Sequence, residues 1–124
     1  MIAFKNLRAL DDWHDAHPML REVVIFMLEH AWPADRDMVV IRIAKRDADQ
    51  KTEIHTCGPP HRAADFSIRN LPEQTGQRIE AAINKQFRYD GDRPKNVAYF
   101  HDAGSGNHLH VQVSNNTVRR GVTG

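Results

Sequence analysis

The chain has 124 residues, 40% of them hydrophobic and 27% charged, a balance that fits a folded globular protein and excludes a disordered or membrane-embedded one. Its 17 basic and 16 acidic residues leave a net charge of +1, so bulk electrostatics single out neither nucleic acid nor a membrane surface as partner. The length suits one domain over residues 1–124, and the single cysteine, Cys57, excludes an internal disulfide framework.

The first eight residues lack the apolar stretch and small-residue cleavage site of a secretory signal, so the product is expected to be cytoplasmic as synthesised. Pro18 suits the first turn of a helix, and no breaker follows until Pro33. Apolar residues cover most of that helix, which marks it as buried. Its most apolar run, Val23 to Leu28, is much too short to span a bilayer. His14, His17 and His30 read as surface or capping residues of the N-terminal helices.

From Asp37 to Ala44 the pattern alternates, with Val39, Ile41 and Ile43 on one face and Met38, Val40 and Arg42 on the other, as in a strand. The charged run from Lys45 to Glu53 reads as a solvated loop or short helix. Ala63 to Arg69 predicts a second strand, and Pro72 opens a helix in which Gly76, Ile79, Ala82, Ile83 and Phe87 trace one face. Arg88 to Pro94 ends it. Val97 to His101 and His108 to Val113 are strand candidates joined by a glycine-containing turn, and residues 115–124 read as a flexible tail. This order predicts an α+β fold, a small and mainly antiparallel sheet with helices packed on one face.

The chemistry concentrates late in the chain. In His108-Leu109-His110 the alternation of a strand sends both imidazoles to the same face. Upstream, His55, His61 and Asp65 surround a small-residue turn that leads into another strand. Nitrogen and carboxylate donors from two strands, with one position left open, are the pattern of a catalytic zinc site. Cys57, between the two histidines, is a loop thiol near that site or a ligand in its own right.

Arg62-Ala63-Ala64-Asp65, together with the later HxH step, resembles the Gly-Arg-Ala-x-Asp core of zinc peptidases. That family includes D-alanyl-D-alanine carboxypeptidases and phage L-alanyl-D-glutamate endopeptidases, with a fold shared by the hedgehog signalling domain. The likeness covers roughly residues 40–115. It implies zinc held by Asp65, His110 and a first histidine. Gly58 stands seven residues before Asp65, where the family has that histidine, and His61 stands where the family has glycine. The first ligand is therefore His55, reached through a short loop insertion, or His61; His55 is favoured because His61 occupies the small-residue position.

The resemblance further implies a short cell-wall (peptidoglycan) peptide as substrate and a phage or prophage origin, with action at the wall after release. His108 would face the developing oxyanion or orient the water. Arg42 or Arg46 would grip a substrate carboxylate. The family's general-base glutamate has no counterpart after Glu80, which leaves Asp102 or His101 for that role. A non-catalytic module with the same fold is the alternative expectation.

Overall fold

The computed structural model describes residues 1–44, 60–69, 71–91, 95–103 and 106–120. Within them the chain forms β1 (Ile2–Phe4), α1 (Leu7–Trp13), α2 (Pro18–Phe26), a π turn (Met27–Ala31), β2 (Met38–Ala44) and β3 (Ala63–Ser67). It continues with α3 (Glu73–Gln86), β4 (Phe87–Arg88), β5 (Ala98–Ala103), β6 (Gly106–Gln112) and β7 (Val118–Arg119). Five strands make one sheet in the order β1-β2-β3-β6-β5, and β4 pairs with β7 in a separate two-stranded ribbon. β1 runs parallel to β2, and the other pairs are antiparallel. The architecture is thus a mixed α and β fold with three helices and a mostly antiparallel sheet.

Local chemistry explains the helix starts. The Asn6 side chain accepts from the Ala9 amide at 2.9 Å to cap α1, satisfying one of the donors a helix N-terminus leaves bare. His17 does the same for α2, its Nδ1 accepting from Met19 N at 3.0 Å just before Pro18. α2 does not run as a plain α-helix to Trp32. It widens into the π turn, closed by Trp32 N donating to Met27 O.

Leu20, Val23, Val24 and Met27 from the second helical segment and Ile79 and Ile83 from α3 meet Met38, Val40, Phe66, Leu109 and Val111 of the sheet in one buried cluster. The register puts Phe66 opposite Leu109 and Leu109 opposite Phe100, with Ala64, Val111 and Ala98 forming the next row. These rows lie on one face of the pleat, so the alternate residues point to the other.

β2 departs from simple alternation. Val40 pairs with Phe66 and Arg42 with Asp65, leaving Ile41 without a partner in β3. Such a bulge shifts the following residues to the opposite face. Met38, Val40 and Ile43 are therefore buried, a set drawn from both of the alternating faces of the sequence. Residues 115–120, expected to belong to a tail, are instead built into the fold. The chain turns, buries Thr117 and pairs Val118–Arg119 with β4, and the Arg119 guanidinium stacks over the rings of Phe26 and Phe87 at 5.3 and 5.8 Å.

Candidate functional site

The face of the sheet turned away from the core carries a row of register partners across four strands: Arg42, Asp65, His110 and Tyr99. Asp65 sits between His110 and Arg42. Its Oδ1 lies 2.8 Å from His110 Nδ1, and its Oδ2 accepts from Arg42 Nη2 and Nε at 3.0 and 3.2 Å. The Asp65 and His110 side chains are only 8% and 13% exposed, while that of Arg42 is 71% exposed. The buried pair thus anchors the row, and Arg42 extends it toward solvent.

The next rung continues the network. His110 Nε2 lies 3.1 Å from Gln112 Oε1, and Gln112 Nε2 donates to the Asn96 carbonyl at 3.1 Å. Gln112 is buried. On the other side of the pair, His108 stands opposite Ser67 of β3 and His101 of β5.

Burial by itself would raise the Asp65 carboxyl, since it penalises the charged form. The hydrogen bonds and positive charges of His110, and then of Arg42, together outweigh that penalty and hold Asp65 below its ordinary 3.8. The carboxylate is therefore ionised at neutral pH, as a metal ligand or an ion-pair partner has to be.

The structure brings together Asp65, His110 and Arg42, with His108 one rung away. It does not bring His61 to them. His61 N donates to Asp15 O, its carbonyl accepts from His17 N, and its ring Nε2 lies 3.7 Å from Asp12 Oδ1. These bonds tie it to the N-terminal helices. Among the described residues no three His, Cys, Asp or Glu side chains are grouped to hold a metal ion, and His61 is not grouped with Asp65 and His110. His55, Cys57 and Arg46 lie outside the described residues, as do the side chains of His101 and Asp102.

Asp65 and His110 fit two corners of a zinc site in donor type, one carboxylate oxygen and one imidazole nitrogen that already converge. The connection between β2 and β3 carries His55, which lies outside the described residues. Its two ends, Ala44 and Ala63, are register partners one rung beyond Arg42 and Asp65.

Gln112 and Asn96 were not singled out in the sequence. The signal for Gln112 was present: it follows His108 and His110 at the same two-residue spacing, so alternation alone places it on their face. Nothing local marks Asn96, which enters through its backbone carbonyl. Among the described residues no helix is long and apolar enough to cross a membrane. No protein-family model, curated protein or solved structure matches the chain.

Proposed function

We propose that this chain is a zinc-dependent peptidase of hedgehog and D-alanyl-D-alanine carboxypeptidase type, acting on short peptidoglycan peptides, with its active face on the polar side of the sheet. The observation that supports this reading is the convergence of Asp65 Oδ1 and His110 Nδ1 at 2.8 Å, from two motifs 45 residues apart. Asp65, His110 and His55 would hold the metal. Bound there, zinc would supply a Lewis acid for the scissile carbonyl and make water a nucleophile near neutral pH.

The protein's own groups have separate tasks in this reading. Arg42, largely exposed and held by Asp65 through Nε and Nη2, offers the remaining N–H groups of its guanidinium to a substrate carboxylate. His108, on the same face two residues from His110, donates toward the carbonyl oxygen as charge develops. Asp102 or His101, on the neighbouring strand, takes up and returns the proton, work worth about 10²- to 10⁴-fold in rate.

One observation favours a non-catalytic module instead. Both Asp65 oxygens and both His110 nitrogens already have protein partners, so the network can stand as a purely structural one. Metal analysis of the purified protein separates the two, followed by an assay on peptidoglycan peptides. The peptidase reading expects stoichiometric zinc, its loss in Asp65→Ala and His110→Ala, and turnover by the native protein. Stoichiometric metal retained in both variants would overturn the ligand assignment, and zinc-loaded protein inert on every murein peptide would favour the module.

A further inference from the structure

The sheet ends at β5, and α3 closes that end. Of the two edge strands, β1 has three residues and β5 has six, so β1 offers little for another strand to pair with, whereas β5 is long enough to need cover. The backbone groups along β5 alternate in direction. Val97 O, just before the strand, accepts from Gln112 N on the β6 side, so the groups of Ala98 and Phe100 point outward, away from β6. Ala98 is fully buried, and its N–H and C=O cannot be left bare. The Asn84 carboxamide meets both: Oδ1 accepts from Ala98 N and Nδ2 donates to Ala98 O, each at 2.9 Å. An acceptor and a donor side by side are what a residue of a neighbouring strand would offer. One turn earlier in α3, Glu80 Oε2 accepts from Phe100 N at 2.7 Å.

We infer that α3 guards the β5 edge: Glu80 and Asn84 take the outward backbone groups of β5 in place of a further strand, and the partner they hold off is β5 of a second copy of this chain, paired antiparallel about a two-fold axis. The residues of α3 fit this task. Gly76, Glu80 and Asn84 recur every fourth position, which makes them one stripe of the helix, and all three meet β5; the bare Gly76 lies against the Phe100 ring, where a Cβ would clash. Asparagine is a poor residue for a helix interior, yet Asn84 lies before the end of α3 at Gln86, and its contribution there is the double bond to Ala98. A second copy suits the uncovered edge because two identical strands paired antiparallel are complementary to each other: the outward N–H and C=O groups of one find the same groups on the other. The inference is independent of the zinc reading.

The test uses the full chain carrying Glu80→Leu and Asn84→Leu together, changes that remove both side-chain partners without weakening the helix. Sedimentation velocity over a range of protein concentrations should show the double variant passing from the native mass to a doubled one, while Glu80→Gln, which still offers Phe100 N an acceptor, keeps the native mass. Amide hydrogen exchange locates the new contact. At low concentration the Ala98 and Phe100 amides of the double variant should exchange about 2- to 10-fold faster than in the native protein, the worth of one hydrogen bond each, and their protection should return as the dimer forms. In the native protein both amides should be protected like those that pair β5 with β6; free exchange there would overturn the inference without any variant. Circular dichroism and thermal melting establish that the double variant is folded. A folded double variant that keeps the native mass at every concentration, or one that associates without restoring protection at Ala98 and Phe100, would also overturn it.

Discussion

Arg42 meets Asp65 only because β2 skips a residue. Ile41 has no partner in β3, and the bulge turns Arg42 from the core face to the face of Asp65, where its Nη2 lies 3.0 Å from Oδ2. Bulges often serve to re-aim a side chain in this way. The guanidinium is thus carried at the rim of the buried pair while Val40 and Ile43, on either side, remain in the core.

The two contacts of Asp65 should differ widely in their weight. Arg42→Ala removes a partner whose side chain is mostly in water, and is expected to cost about 1 kcal/mol or less. His110→Ala removes the buried partner and leaves the Asp65 charge short of a donor, at a cost of about 3 kcal/mol. Urea unfolding of the two variants in metal-free buffer checks this, and equal losses would contradict the ordering.

The pH dependence has a definite sign. The Asp65 carboxyl is lowered in the folded protein, so the unfolded chain takes up its proton first as the pH drops. Its contribution to stability is complete above the ordinary 3.8 and is lost as pH falls below that value through the folded one. The stability gap between native protein and Asp65→Asn, read from urea midpoints at a series of pH values, should be constant near neutrality and shrink below 3.8. A gap that widens in acid would reverse the assignment.

His61 and His55 should separate cleanly. His61 is buried against the N-terminal helices and its backbone is bonded to Asp15 and His17, so His61→Ala is expected to lower the melting temperature by several degrees while leaving zinc content intact. His55→Ala should abolish zinc binding at little cost to the melting temperature of the metal-free protein. Metal analysis and thermal melts on the same samples test both halves.

Gly76 sits where α3 crosses β5. A Cβ there would lie 2.7 Å from Phe100 Cδ2, closer than packed atoms come. Alanine would add about 1 kcal/mol of helix propensity, but the overpacking costs about 1–3 kcal/mol, so Gly76→Ala should be destabilising on balance. Combining it with Phe100→Leu, which withdraws the ring, should recover part of the loss in thermal melts.

Periodicity made much of the fold legible. Two-residue alternation marks β2 and β6, and the three- and four-residue spacing of Gly76, Ile79 and Ile83 marks α3, because each pattern is short-range and depends only on backbone geometry. The same alternation puts His108, His110 and Gln112 on one face. β1 escaped because three residues carry no usable period, and it exists only through its parallel pairing with β2. Register is a different matter. Nothing within residues 63–67 or 106–112 says that Asp65 will face His110, nor that the Ile41 bulge will bring Arg42 beside them, since a slip of one residue would send every side chain to the opposite face. That choice is made by burial of Phe66 and Leu109, with the partly buried Phe100 in the same row, against the helices. The fate of His61 was settled in the same way: its sequence neighbours suggest a ligand of the Asp65 site, but the backbone bonds from Asp15 and His17 draw it to the helices instead. Residue types and local periods are properties of the chain alone, whereas the site depends on which distant residues the packed core sets opposite one another.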